Sequence, residues 1–454
     1  MNADTPPEAR CASLEDEVAR LQAELGKVRE QLVDTENTFG RFVPREFLNF
    51  LSIDNIRGVR LGMQTERKMT ILFADIRNFT GLSESMTPQE NFDFMNSYLS
   101  QMEPMIVPFR GLIDKYIGDA IMALFPESTD DAVQGALAML ERLENYNKGR
   151  ARAGYRPISI GIGVNTGIVM LGTVGGIGRM EGTVISDAVN LASRLEEMSK
   201  VYGVPLLISE HTLHSLEDPG RYGIRFLARN RVKGKQEAQS VYEVFDADPP
   251  AVRAAKRRTR KRFEEALAFY FVGDIYRART RLVRCLEEAP EDAPARFYLA
   301  RCDEYLRNGH AEGIEENELT QTWSEEYSSG VADIDSQHRI LLSQFNALAT
   351  AVCEGRADDA VPILARIAKD AQQQFGKEET LMQESRYRFL AEHAHQHRRF
   401  HENLQRLSEE IGAGTENPVY TAFRIKLLLM DWTINHSIKT DRHLGHHLKS
   451  RSGG

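Results

Sequence analysis

Hydrophobic spacing changes its period twice along this chain, so one continuous core of one architecture cannot satisfy it. From the N-terminus, Leu14, Val18, Leu21, Leu25, Val28, Leu32, Thr35 and Phe39 alternate steps of four and three residues. That is the seam of a coiled coil, with Val18, Leu25 and Leu32 at a and Leu14, Leu21 and Val28 at d. Glu24 at g would attract Arg29 at e of a second, parallel strand. An isolated amphipathic helix is the competing reading; a register kept for more than three heptads favours the dimer. From Met69 to Phe245 the period shortens. The β-rich runs MTILFADI, GLIDKYI, AIMALF, ISIGIGVN, GIVMLGTVG, PLLIS and SVYEVF alternate with helical stretches at 88–108, 130–147 and 187–202, as in an α/β or α+β domain. After Ala247 the spacing is helical throughout.

Length agrees with several units: 454 residues exceed the roughly 150-residue scale of one domain, and two to four folded units are expected. With 42% hydrophobic and 27% charged residues the chain is of globular type. It has no apolar run long enough to span a bilayer, and its start, MNADTPPEAR, has no secretory pattern, so a cytoplasmic protein without a membrane partner is expected. Cys11, Cys285, Cys302 and Cys353 form no paired motif, which fits a reducing compartment and offers no zinc site. A net charge of −9 argues against a generally basic nucleic-acid binder.

Between Arg253 and Arg262 seven residues are Lys or Arg, read as a solvated linker leading onto a helix face. Phe263, Ala266, Phe269, Gly273, Ala278, Leu282, Cys285 and Pro290 then follow the small/large spacing of a helical hairpin, resembling a tetratricopeptide unit with part of a second to Gly309. So short an array cannot bury a solenoid core and is expected to pack on a neighbour.

Carboxylates suited to a phosphate-handling metal site stand at Asp75, ending the strand in FADIRNFTGLSE, and at Asp119, in the turn of DKYIGDAIMALF. Two such groups can hold a pair of Mg²⁺ ions bridging nucleotide phosphates. In TVISDAVNLASRLEE, Asn190 and Arg194 share one helix face, where an amide and a guanidinium suit a ribose and a phosphate. RVKGKQE places Lys233 and Lys235 in a glycine-containing loop.

In this order the motifs resemble the class III nucleotidyl cyclase catalytic domain, with RFVPREFLNFL as a lead-in. The resemblance implies an α+β domain with a ferredoxin-like βαββαβ core. It implies that Asp75 and Asp119, helped by the backbone at Ile76, ligate two Mg²⁺ or Mn²⁺ ions, and that amides near Phe79 and Thr80 hold phosphates. Lys115 and Thr183 match the pair that reads adenine; glutamate and cysteine there would imply guanine. Asn190 would orient the ribose, Arg194 stabilise the transition state, and Lys233 grip the terminal phosphates of ATP. In-line attack of the ribose 3′-hydroxyl on the α-phosphorus needs positioning and charge compensation, which this set supplies. In that family the metal carboxylates come from one chain and the base, ribose and arginine contacts from the other, so the resemblance implies a homodimer, whose effective concentration the coiled coil would raise. The family's aromatic and glycine around the purine-reading strand are here Gly182 and Ser186, which loosens the expected base selectivity.

Nine of the 12 histidines fall at or beyond His338. His338 begins a helix in VADIDSQHRILL, His393 and His397 are four apart, Asp441 follows His436 at five, and FGKEETLM supplies Glu378. Imidazoles and carboxylates pointing inward from facing helices are a way to hold two iron ions. The region resembles the hemerythrin family, including Trp323 and the Ile334–His338 stretch. The resemblance implies an all-α four-helix bundle with a non-heme di-iron centre: His393, His397 and His436 on one iron, His338 on the other, Glu378 and Asp441 bridging. The family's further histidine, four residues before the bridging glutamate, is Gln374. The second iron is then weakly held, carries an extra water, borrows His395 or His401, or is absent. His443, His446 and His447 match no role and read as a solvated tail.

The expected organisation is a coiled coil over 1–40, a helical lead-in over 41–66, the cyclase over 67–246, a basic linker and helical connector over 247–316 and the bundle over 317–450. The expected function is an adenylate cyclase converting ATP to cyclic AMP and diphosphate, biased by an iron domain that senses O2, redox state or NO. The competing readings are a guanylate cyclase, an oxygen- or iron-binding protein with a silent cyclase scaffold, and a scaffold acting through 263–309.

Overall fold

A computed structural model describes residues 7–39, 45–53, 56–176, 178–231, 238–309, 319–414 and 417–452. Helix α1 (Pro7–Phe39) is continuous, and its seam residues Val18, Leu21, Leu25, Val28 and Leu32 are exposed in the single chain; the side chains of Leu14 and Phe39 lie outside the described residues. No described helix is long and apolar enough to cross a membrane.

After α2 (Arg45–Phe50) come β1 (Gln64–Ile76), α3 (Phe79–Ser83), α4 (Pro88–Met102), β2 (Leu112–Ile117), β3 (Ala120–Phe125), α5 (Thr129–Arg152), β4 (Ile160–Gly176), β5 (Arg179–Ile185), α6 (Asp187–Tyr202), β6 (Leu206–Ser209), α7 (Glu210–Ser215), β7 (Ile224–Arg231) and β8 (Ala238–Val244). The strands form one mixed sheet in the order β2-β3-β1-β4-β6-β8-β7, with β5 paired to β4; the β4–β6 pair is parallel and the others antiparallel. Leu72, Ala74, Ile162 and Val164 share one face with α4 and α5, whereas Gly161 and Gly163 allow α6 to lie close on the other: a Cβ on Gly163 would stand 2.3 Å from the Glu196 amide.

Several local expectations change. The runs 158–165 and 167–175 are one strand, because the polar Thr166 between them is satisfied inside a buried hydroxyl chain, 3.0 Å from Thr70 and 3.3 Å from Thr212. The helix expected over 88–108 ends at Met102, and two 3₁₀ turns follow where Pro104 and Pro108 interrupt the α ladder. Strands β5 and β7 were not among the expected runs.

The basic segment is helical rather than a linker and is solvated only in part, with Arg257, Arg258, Arg260 and Lys261 exposed. It lies in α8 (Pro250–Phe271), which packs with α9 (Ile275–Glu288) and α10 (Ala293–Asn308) on the β7–β8 edge. Lys256 is buried, with Nζ 2.6 Å from Glu243 and 2.5 Å from Asp248. Glu243 also takes the guanidinium of Arg225 at 2.5 Å, and Arg225 forks onto Asp292 at 2.6 and 2.8 Å, all three being fully buried. Phe263, Ala266, Phe269, Ala278, Leu282 and Cys285 join the cyclase core, so the short helical array does use its neighbour.

The C-terminal region is built from α11 (Ala332–Cys353), α12 (Ala357–Glu384), α13 (Leu390–Gly412) and a helical run of α14 (Pro418–Ile425), a π segment (Lys426–Asp431), α15 (Trp432–His436), a second π segment (Ser437–Asp441) and α16 (Arg442–Ser452). Of the three late histidines expected in a solvated tail, His446 is exposed, but His443 and His447 are engaged. On α16, His443 contacts the Tyr387 hydroxyl at 2.7 Å and Glu66 of β1 at 3.0 Å, and His447 hydrogen-bonds the Ser385 carbonyl at 2.9 Å.

Removing one member of the Arg225 cluster strands a buried charge. Asp292→Ala should lower unfolding free energy by about 3–5 kcal/mol in denaturant titrations, whereas replacing Arg225 and Asp292 together by Met and Leu should cost less than that. A loss from Asp292→Ala within the error of the titration would refute this account.

Candidate active site and metal centre

Strand β1 delivers Asp75 beside the β2–β3 turn. That turn is a two-residue hairpin, Gly118-Asp119, in which Gly118 takes φ +64 and the next side chain is aimed at the end of β1. Asp119 Oδ2 accepts from the Ile76 amide at 3.3 Å. Burial first, then a hydrogen bond and repulsion from Asp119, push Asp75 up to about 7, and its Oδ1 is buried without a partner. Two half-buried carboxylates crowded this closely call for a cation. Sequence reasoning missed Glu196 on α6, which burial also pushes up to about 7 and which lies within electrostatic reach of both aspartates. It also missed Arg77, which binds the Ser199 and Val204 carbonyls at 3.0 and 2.5 Å and so ties the end of β1 to α6.

Phe79 opens α3, with its ring stacked 6.4 Å from Phe94; the Phe79 and Thr80 amides are in the first turn, where a helix leaves N–H groups unpaired. Lys115 and Thr183 meet, Nζ to Oγ1 at 2.9 Å. Lys115 also contacts Glu181 at 3.2 Å and Asp114 at 3.5 Å, so its three donors are engaged. Glu181, two residues before Thr183 on the same strand face, was legible only from that period.

Asn190 and Arg194 are not brought to the aspartates. Both are exposed on α6, and Arg194 has no ion pair or hydrogen bond among the described residues. Glu196, which reaches the aspartates, is about 200° around the helix from Arg194. The Asn190/Arg194 face instead lines a cavity of about 1100 Å³ whose other walls include His393, His436 and Lys439. Lys233 and Lys235 lie outside the described residues.

In the helical region, α11, α12, α13 and the last helical run each contribute to one buried cluster. Glu378, His393, His397 and His436 hold ligand atoms within 4.8 Å of one another. Asp441 lies between them and His338: Oδ1 is 3.1 Å from His393 and 3.2 Å from His436, while Oδ2 is 3.4 Å from His338. Five residues along an α-helix would place His436 and Asp441 about 140° apart; the intervening π segment turns both inward. Glu378 Oε2 is 3.2 Å from His397 and 3.7 Å from His393, and Oε1 accepts from Gln374 at 2.8 Å.

No hydrogen bond satisfies Glu378 Oε2, His397 Nε2, Gln374 Oε1 or either oxygen of Asp441, although all are buried. Apart from a His393–His436 contact of 3.0 Å between ring nitrogens, the convergence of so many acceptor atoms on one buried point fits a cation. Burial holds His436 down at about 4, whereas His393, despite the opposing effect of burial, is pushed up to about 9 by Asp441 and Glu378, so a cation entering the cluster would displace a proton there. Outer partners orient the rings: Glu379 Oε1 is 3.0 Å from His397 Nδ1, and Gln396 Oε1 is 2.8 Å from His436 Nδ1. Neither had been singled out from sequence. The suggested substitutes for the missing histidine are turned elsewhere. His395 bonds the His214 carbonyl at 3.2 Å, and His401 lies edge-on to Phe375 at 5.4 Å, outside the cluster.

Residues 61–244 match the adenylate and guanylate cyclase catalytic domain family, and residues 329–445 match the hemerythrin HHE cation binding domain family. The chain joins a cyclase domain to a hemerythrin domain. An adenylate cyclase of Anabaena cylindrica is 42% identical over 242 residues, which cover 52% of this chain and 47% of that protein. A terminal-differentiation-specific adenylate cyclase of Dictyostelium discoideum is 34% identical over 284 residues, 61% of this chain and 13% of the relative. The chain thus spans about half or less of the length of these relatives. Among solved structures, a bacterial light-regulated adenylyl cyclase aligns over 51% of this chain and 66% of its own, with 24% identity and a TM-score of 0.44.

Both departures in the cyclase domain have a packing reason. Gly182 makes room for Phe47 of α2, whose ring would stand 2.8 Å from an added Cβ. Ser186 caps α6, accepting from the Ala188 amide at 3.1 Å and donating to the Ile168 carbonyl at 2.7 Å. Gly182→Ala should therefore destabilise the protein by about 1–3 kcal/mol, and Phe47→Leu in the same chain should recover part of the loss in thermal unfolding. Strictly additive effects of the two substitutions would rule out the contact as the cause.

Proposed function

We propose that the protein is an adenylate cyclase, forming cyclic AMP and diphosphate from ATP, whose output is biased by an iron-binding hemerythrin domain that responds to O2, redox state or NO. The observation that carries the reading is the Asp75–Asp119 pair at the strand end together with the Lys115–Thr183 contact. Asp75 and Asp119 would hold Mg²⁺ or Mn²⁺, which supplies charge compensation at the phosphates. Lys115 and Thr183 would read adenine, with Lys115 giving up its exposed partner Glu181 to do so. Asn190 would orient the ribose, Arg194 would meet charge developing at the α-phosphate, the Phe79 and Thr80 amides would hold phosphates, and Lys233 would meet the terminal ones.

The placement of Arg194 away from the aspartates supports a site completed by a second chain. So does the apolar surface of Tyr116, Ile117, Val174 and Met180, exposed at the tips of β2 and the β4–β5 hairpin. Helix α1 would hold the two copies together as a parallel coiled coil. Asp75→Ala and Arg194→Ala should each reduce cyclic AMP production by a factor on the order of 10²–10³. The two variants co-expressed should recover about a quarter of wild-type activity, since half of random dimers are mixed and each carries one intact site. GTP should be turned over more slowly than ATP by the wild type. Unaltered turnover in both single variants would refute the site, and no recovery on mixing would refute its sharing between chains.

The hemerythrin domain would be a four-helix bundle holding iron with His338, Glu378, His393, His397, His436 and Asp441. Gln374 stands where a further imidazole would complete the His338 side, and its amide instead fixes Glu378. The iron on that side would be the weaker. Gln374→His should raise the iron content per chain and strengthen visible absorption of protein purified without oxygen and then aired. An equal iron content in the two proteins would show that Gln374 does not limit loading.

A further inference from the structure

The last helical run, Pro418–Ser452, carries two of the metal-cluster residues and also most directly meets the cyclase side. The Tyr420 hydroxyl donates to Glu264 of α8 at 2.8 Å. Phe423 packs edge-on to Phe226 of β7 at 5.5 Å and stacks on Phe271 of α8 at 5.8 Å. Asn435 donates to Glu210 of α7 at 3.1 Å. Among these contacts one is charged, bidentate and buried: Asp431 takes Nε and Nη2 of Arg229 on β7 at 2.7 and 2.8 Å, with both side chains at most 6% exposed.

Its position links two sites. Asp431 ends the first π segment, and the next residue, Trp432, lies flat on the His436 ring, centroids 4.5 Å apart and planes 13° from parallel. Arg229 stands two residues before the end of β7, opposite Ser240, and the chain leads from β7 into the segment containing Lys233. A rigid aromatic contact therefore joins a metal-cluster imidazole to a carboxylate, and that carboxylate holds strand β7 of the cyclase sheet.

The second π segment sets how the two ligand side chains converge. His436 and Asp441 converge only across the wide second π turn; in a plain α-helix they would point about 140° apart. A cation bound by both residues favours the wide turn, and a change in that ligation removes the preference. Any change of winding there is passed along the helix, and a buried bidentate pair transmits it more faithfully than a screened surface pair.

We propose that the Arg229–Asp431 pair couples the metal cluster to the cyclase sheet, moving β7 when ligation at His436 and Asp441 changes. Arg229 and Asp431 are positioning residues; neither touches substrate or metal. The inference rests on the cyclase and iron reading above, and its test includes a measurement independent of turnover.

The full-length protein is compared in its Fe(II)-loaded and chelator-stripped forms by amide hydrogen exchange over residues 224–231. In the wild type, exchange in this strand should differ several-fold between the two forms. In Asp431→Asn, which keeps the shape and loses the charge, the difference should vanish while iron content and absorption spectrum stay as in the wild type. Arg229→Lys, which keeps the charge and loses the fork, should reduce the difference and guards against a folding failure of the first variant. In kinetics, cyclic AMP production should depend on the metal state in the wild type and cease to do so in Asp431→Asn. A wild type with equal exchange in both forms, or variants that retain the full wild-type difference, would overturn the coupling. A wild type without nucleotide turnover would overturn the cyclase reading, while the exchange result would still decide whether the pair transmits the metal state.

Discussion

The burial of Arg225 is the constraint around which the rest is arranged. A guanidinium cannot shed its proton to escape an apolar interior, so it requires carboxylates with matching geometry. Glu243 on the neighbouring strand supplies one and Asp292 the other. Asp292 is also the N-cap of α10, accepting from the Ala295 amide, so one side chain sets both the ion cluster and the start of a helix. The β7–β8 hairpin at the end of the sheet, which would otherwise present an open edge, becomes the attachment point for α8, α9 and α10. Phe226 on the same hairpin extends that core to Phe271 and to Phe423 of the hemerythrin domain.

This arrangement keeps the Asp75–Asp119 pair and the Asn190/Arg194 face apart within one chain. The close approach at Gly161 and Gly163 lays α6 across the sheet, with Glu196 near the aspartates and Asn190 and Arg194 on another face. In the hemerythrin domain the reverse holds. Side chains far apart in sequence converge until several buried acceptor atoms face one another without hydrogen-bond partners. In both places electrostatic need is concentrated where the fold alone does not relieve it, as expected of sites that take charged ligands.

The residues that the fold gathers at the strand end and in the histidine cluster each sit in a local pattern. Asp75 ends an apolar run, Asp119 follows a turn glycine, and His393 and His397 repeat at four. Strands β5 and β7 were not legible in the sequence, since RMEGTVI and IRFLARNR carry charges that read as surface. In the folded protein Arg225 and Arg229 are buried against Asp292 and Asp431, partners that lie 67 and 202 residues away. The basic run at 253–262 misled in the same way through Lys256, and the late histidines through His443, whose partner Glu66 stands at the opposite end of the chain. Prolines 104 and 108 did carry a readable signal that a shorter helix would have respected.

By itself the sequence determined the order of the units, the chemical inventory of each and the +5 spacing of His436 and Asp441. These follow from periodicity and residue type, which act over a few residues. Only the tertiary structure decided which charges are buried, that His395 and His401 turn away from the metal cluster, why Gly182 and Ser186 stand where they do, and that one helical run touches both the metal cluster and β7. The reason is that burial and pairing depend on neighbours brought from distant parts of the chain, and a buried charge is tolerated only once those neighbours are in place.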